Sequence, residues 1–173
     1  RIQLGSAIVC LNLHDAIDVA EQVAVADLLG DGRLAPGFGS GSTPEEAELF
    51  DRATPESAAL HQQFERSLRT VRDAWAGRIL PRSAADLESR CWIAVNSVES
   101  AGIAGRMNYH LLFSHLRTLD QYQQYAAAYR AAGGRGKIAI NRPVHVAADD
   151  EAAWNQARPA IETLYHRFRQ EGK

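Results

Sequence analysis

Three groups of residues in this chain have types and spacing that could do chemistry. The first is Asn96-Ser97-Val98-Glu99-Ser100, which follows the apolar run Cys91 to Val95 and opens a helical pattern. A helix start leaves backbone N–H groups without intrahelical partners and carries the positive end of the helix dipole. Those amides, with the Ser97 and Ser100 hydroxyls beside them, suit a phosphate dianion. The same residues also read as plain capping, with Asn96 or Ser97 as the cap and Glu99 reaching back. The second group is Gly37-Phe38-Gly39-Ser40-Gly41. Its third glycine falls two residues after the second instead of three, and no acid ends a following strand, which argues against a dinucleotide fingerprint. It reads instead as a loop needing positive φ and close backbone approach at the carboxyl end of a strand, where ligands of α/β folds sit. The third group is His14 and His115, each closing an apolar run, beside Asp15 and Ser114 respectively. A histidine at a strand end can move protons near neutral pH; the competing readings are a hydrogen-bonded turn residue for His14 and a surface loop for His115. His110 begins its run and is expected to be structural. His61, His145 and His166 have no partners at ligand spacing, so no metal site emerges.

The elements that must position these groups alternate. Leu4 to Leu13 is nearly continuous in apolar, partly β-branched residues and reads as one strand buried on both faces. From Asp15 to Leu29 the apolar residues Ile17, Ala20, Val23, Ala24 and Leu28 recur at three and four, with Gly30 and Gly32 as a stop. Leu34 to Phe38 is a second, short strand weakened by Pro36. Thr43-Pro44-Glu45-Glu46 and Thr54-Pro55-Glu56 are helix starts, and Leu60, Phe64, Leu68, Val71 and Trp75 continue at helical spacing to about Ala76. Pro81 to Arg90 reads as loop. Strands at Cys91 to Val95 and His110 to Ser114 alternate with helices from Asn96 to about Arg106 and from Leu119 to Ala132. Lys137 to Val146 reads as extended and Asp150 to Gln170 as a closing helix. Strand and helix thus alternate about five times, which specifies an α/β fold with a parallel sheet and crossover helices.

Composition sets limits on function. With 173 residues, 46% of them hydrophobic, the chain supports one core and a single domain over 1–173. The net charge is −2 and Lys and Arg are scattered, which favours neither nucleic acid nor an anionic membrane as partner. The longest apolar run is much shorter than a membrane span. Cys10 and Cys91 lie in apolar runs without paired metal spacing, as buried reduced thiols do, and a cytoplasmic protein fits. Trp75, Trp92, Trp154 and the tyrosines of Gln121 to Arg130 read as packing residues.

Taken in order, IQLGSAIVCLNLHDAIDVAEQVAVADLLGDGRLAPGFGSG, STPEEAELFDR, DAWAG, WIAVNSVESAGIAG and RPVHVAADDEAA resemble the bacterial luciferase-like flavin-dependent monooxygenases over essentially the whole chain. The resemblance implies a (β/α)8 TIM-type barrel, which takes roughly 250 residues. The chain would then supply about five of its βα units, with the first strands and the last strand missing. It implies reduced FMN as cofactor, or a deazaflavin coenzyme, with dioxygen and a small organic substrate, a flavin reductase as partner and a homodimer as assembly. Matched by position, Asn96, Ser97 and Ser100 fall on the family's phosphate-binding helix start. Ala7 and Ile8 fall on the segment beneath the flavin ring, where members bulge the backbone around an unusual peptide. Gly39, Ser40 and Gly41 border the cofactor, with Ser40 standing where many members carry arginine, and His115 faces the pocket. His14 and His115 are the candidate catalytic groups. A catalytically silent flavin binder and a deazaflavin-dependent dehydrogenase of the same fold are the alternatives.

Overall fold

The computed structural model describes residues 2–41, 44–52, 56–114 and 117–170. The expected helix caps Thr43 and Thr54 and the candidate His115 lie outside the described residues. The chain divides into two compact units, Arg1–Asn141 and Arg142–Lys173.

In the first unit a two-stranded sheet pairs β1 (Leu4–Gly5) with β3 (Leu34–Ala35). A five-stranded sheet runs in the order β2 (Val9–Cys10), β4 (Gly37–Gly39), β5 (Trp92–Val95), β6 (His110–Phe113) and β7 (Ile138–Ile140). Every pairing is parallel, as the alternation requires. The crossovers are α1 (Ala16–Leu29), α2 (Pro44–Leu49), α3 (Ser57–Trp75), α4 (Val98–Met107) and α5 (Leu119–Ala131). The second unit contains α6 (Asp150–Gln170), on which Trp154 is 55% exposed and so is not the packing residue expected.

Helix α1 forms because Asp15 caps it, its carboxylate accepting from the N–H groups of Ile17 and Asp18. It stops at Gly30, after which Asp31 and Gly32 turn left-handed. Its Val19, Ala20, Val23 and Ala24 are buried, as are Phe64, Leu68, Val71 and Trp75 of α3. The Trp75 indole N–H donates to the Ala20 carbonyl at 2.9 Å, tying the two helices together. On the sheet, Ile93, Val95, Leu111 and Phe113 are buried, and Tyr122 and Tyr125 of α5 lie against Phe113. The alternate residues Trp92, Ala94, His110 and Leu112 are only half-buried. His110 is structural: its Nδ1 accepts from Lys137 N–H and its ring packs edge-on against Trp92.

Two further expectations are corrected. Leu4 to Leu13 is not one buried strand. Leu4 is 50% exposed, the strand breaks after Gly5 and resumes at Val9, and Leu11–Leu13 form a 3-10 turn. The cause is register. Between the pairs Gly5↔Ala35 and Val9↔Phe38, the first strand has Ser6, Ala7 and Ile8 where the second has only Pro36 and Gly37, one extra residue and hence a bulge. Pro36 has no N–H to give a ladder, which confines pairing to either side of it. The Ser6 hydroxyl fills the gap, accepting from Gly37 N–H at 2.9 Å and donating to Gly37 O at 3.2 Å. The second correction concerns Lys137 to Val146, of which only Ile138–Ile140 is strand, paired to β6.

Candidate cofactor site

The turn from β5 into α4 is built by two serines. Ser97 is the N-cap, its hydroxyl accepting from Ser100 N–H at 3.1 Å. Ser100 reaches back, its oxygen accepting from Ser97 N–H at 3.2 Å and Asn96 N–H at 3.3 Å. The expected return partner, Glu99, is displaced from that role because Ser100, not Glu99, is the third residue after the cap. Ser100 donates its own proton to the Ser97 carbonyl at 3.0 Å and is 2% exposed, so it is fixed within the turn. From α5, the buried Tyr125 donates its hydroxyl to the Asn96 carbonyl at 2.8 Å.

What this turn offers an anion is therefore narrower than a row of free amides. The N–H groups of Asn96, Ser97 and Ser100 are engaged. The outward donors are the Ser97 hydroxyl and the first-turn N–H groups of Val98 and Glu99, which have no carbonyl one turn back. Glu99 already shows their preference: its own backbone N–H and the Ser97 hydroxyl, with the nearby His61 charge, hold its carboxyl below the usual carboxylate range. Neutral donors at the positive end of a helix suit a phosphate, so the donor set fits the terminal group of a flavin mononucleotide.

Ala7 and Ile8 lie in the bulge, and the peptide between them is cis. The bulge folds onto β4. A Cβ on Gly37 would meet Ser6 O at 2.2 Å, and one on Gly39 would meet Ile8 Cδ1 at 2.0 Å. The two glycines are thus what the bulged backbone and the Ile8 side chain require. The same hypothetical Cβ on Gly39 lies 4.0 Å from Ala94 of β5. Gly41 has the expected positive φ, 94°, beside Cys10 and Leu13, and the Ser40 hydroxyl donates to the Gly41 carbonyl at 3.5 Å.

His14 follows the 3-10 turn, its ring edge-on to Phe50 with centroids 5.2 Å apart. It lines a cavity of about 280 Å³ with Asn12, Asp15, Arg52, Gln63 and Thr70. The structure brings Ile8 to Gly39, and Asn96 to Ser97 and Ser100, and places His14 on this polar cavity.

Two residues of the α4 turn escaped the sequence reading. His61 of α3 places Nε2 3.4 Å from the Ser97 hydroxyl, and Tyr125 tethers Asn96. Both partners lie far along the chain, and spacing carries no signal for them. Among the described residues there is no cluster of three or more His, Cys, Asp or Glu able to hold a metal, and no helix long and apolar enough to cross a membrane. Burial raises the pKa of both Cys10 and Cys91, and both thiols are free.

A family model described as luciferase-like monooxygenase matches residues 1–172. No curated protein matches the chain. Monooxygenase RslO1 from Streptomyces bottropensis is similar in structure, with a TM-score of 0.77 at 23% identity over 94% of this chain and 56% of that one. The oxygenating constituent of 3,6-diketocamphane monooxygenase from Pseudomonas putida, in complex with FMN, gives 0.71 at 16% identity over 97% and 57%. An F420-dependent secondary alcohol dehydrogenase in complex with an F420-acetone adduct gives 0.74 at 15% identity over 91% and 54%. The chain spans little more than half the length of these structures. What it shares with them is the fold, an α/β TIM-type barrel of which this chain holds an incomplete part.

Proposed function

The chain belongs to the luciferase-like monooxygenase family, and on that premise we propose that it serves a flavin-dependent oxidoreductase that uses reduced FMN and dioxygen to oxidise a small organic substrate. The observation that carries this reading is the α4 start. Its Ser97 hydroxyl and first-turn amides form a seat for a phosphate at the carboxyl end of β5, the end of a parallel sheet where ligands bind. A reduced flavin bound there supplies two electrons to dioxygen, so that one oxygen atom enters the substrate and the other leaves as water.

The chain's own residues do the rest. Ser97 holds the phosphate and Tyr125 keeps the turn in place through Asn96. Ala7 and Ile8, in the bulge whose Ile8 side chain lies against Gly39, form a wall for the ring, and Ser40 and Gly41 continue that rim. His14, on its polar cavity, and His115 are the groups proposed to move protons. A flavin reductase would supply reduced cofactor, and a homodimer is the proposed assembly.

The test is a titration of the purified chain with FMN, followed by oxidation of added reduced FMN with and without an aldehyde. Binding with aldehyde-dependent oxygen uptake supports the monooxygenase. Binding without turnover identifies a silent flavin binder. Hydride transfer to a deazaflavin without oxygen uptake identifies the dehydrogenase chemistry of the F420-dependent structural neighbour. Failure to bind either coenzyme overturns the reading.

A further inference from the structure

We infer that His61 is a positioning residue for the cofactor's phosphate, fixing the direction in which Ser97 donates its hydroxyl proton; this rests on the phosphate seat proposed above. A serine hydroxyl has two acceptor lone pairs and one proton. One lone pair of Ser97 is taken by Ser100 N–H at 3.1 Å. His61 Nε2, arriving from the middle of the chain on α3, lies 3.4 Å from the same oxygen and can fill the second with its N–H. The remaining neighbour, Ser100 Oγ, is 3.1 Å away but already accepts from two backbone N–H groups, of Asn96 and Ser97. With both lone pairs of Ser97 occupied, its proton is left to point out of the turn, toward an anion.

The Glu99 carboxyl agrees with that polarity: its own backbone N–H, then the Ser97 hydroxyl and His61, hold this exposed group below the usual carboxylate range. A phosphate arriving at α4 therefore meets a hydroxyl that His61 has turned outward. Donation from His61 also polarises the Ser97 O–H and strengthens it as a donor, the ordinary behaviour of hydrogen bonds in series. The 3.4 Å separation leaves room for the contact to shorten when an anion pulls on that proton.

The experiment compares FMN with riboflavin, which has the same ring and no phosphate, binding to the full chain by fluorescence titration. The variants are His61→Leu, which removes the donor, and His61→Gln, whose amide N–H₂ restores one. The wild type binds FMN tighter than riboflavin. His61→Leu lowers that preference by about threefold to tenfold with riboflavin affinity unchanged, the size of one lost net hydrogen bond, and His61→Gln recovers most of it. Riboflavin binding reports in each variant that the fold is intact. A preference unchanged in His61→Leu, or lost equally in both variants, overturns the role of His61 alone. A wild type that does not distinguish FMN from riboflavin overturns the phosphate seat itself, and the role of His61 with it.

Discussion

The Tyr125 hydroxyl and the Asn96 carbonyl are 2.8 Å apart, so α5 holds the end of β5 at the residue where the chain turns into α4. Its neighbours on α5 do the same elsewhere, Tyr122 donating to the Ser114 carbonyl at 2.6 Å and Tyr129 to the Tyr109 carbonyl at 2.7 Å. Each ring is buried and each hydroxyl finds a backbone oxygen, so packing and tethering come from one residue type. Tyr125→Phe keeps the ring and leaves the Asn96 carbonyl without its donor. It should cost about 1 kcal/mol in urea unfolding. It should also weaken FMN binding more than riboflavin binding, because the loosened turn is the proposed phosphate seat. Equal loss for the two ligands would place the tether outside the phosphate's reach.

Ser97 caps α4 and, in the proposed seat, donates to the phosphate, and these two roles are separable. Asp caps a helix as well as Ser does, whereas a carboxylate at that position repels a phosphate. Ser97→Asp should therefore unfold at nearly the same urea concentration as the wild type while losing the preference for FMN over riboflavin. Ser97→Ala should lose both, with about 1 kcal/mol of stability. Unimpaired FMN binding in Ser97→Asp would show that the phosphate sits elsewhere.

What was legible in the sequence was whatever depends on neighbours along the chain. Phe64, Leu68, Val71 and Trp75 recur at helical spacing and are the buried stripe of α3. The apolar runs at 92–95 and 110–113 are adjacent parallel strands. The family likeness, and with it the fold, was also readable, because it lies in the order of several local motifs. What was hidden depends on register and on distant partners. The bulge at Ser6 to Ile8 exists only because two strands some thirty positions apart differ by one residue between their paired ends. His61 meets Ser97 from 36 positions away, and no helical pattern on α3 marks that face as special. The capping assignment slipped for a smaller reason. Glu99 and Ser100 both lie within reach of the turn, and only the choice of Ser97 over Asn96 as cap makes Ser100 the returning partner.

The bulge makes a prediction about two glycines that sequence alone treats as equivalent. At Gly37 an added Cβ meets the backbone oxygen of Ser6, which the two Ser6–Gly37 hydrogen bonds hold in place. At Gly39 it meets the tip of the Ile8 side chain, which can rotate. Gly37→Ala should therefore destabilise by about 3 kcal/mol or more, and Gly39→Ala by about 1 kcal/mol. Because Ile8 must move in Gly39→Ala, that variant should change flavin binding while staying folded. The opposite ranking in urea unfolding would mean that the bulge, not β4, gives way.

Stability in acid should depend on Asp27. This carboxylate ends α1 at 1% exposure and receives both terminal nitrogens of Arg90, at 2.7 and 2.8 Å, and the N–H of Leu34 at 3.0 Å. Arg90 also donates to the Leu34 carbonyl and to Asp86, so α1, β3 and the turn before β5 meet at one ion pair. The Arg90 hydrogen bonds, and then the Leu34 N–H, hold the Asp27 carboxyl below its usual range against the opposing effect of burial. The unfolded chain then binds the proton more readily than the folded one. The pair's contribution is complete above the unfolded carboxyl value of about 3.9 and is lost as pH falls from there through the lower folded value. Removing one partner of a buried pair costs about 3–5 kcal/mol, so Asp27→Asn should lose that much at pH 7. Its urea midpoint should then fall less steeply than the wild type's between pH 4 and pH 2, a window of about two units below the unfolded value. Parallel pH profiles for the two proteins would show that other carboxylates, not Asp27, carry the acid sensitivity.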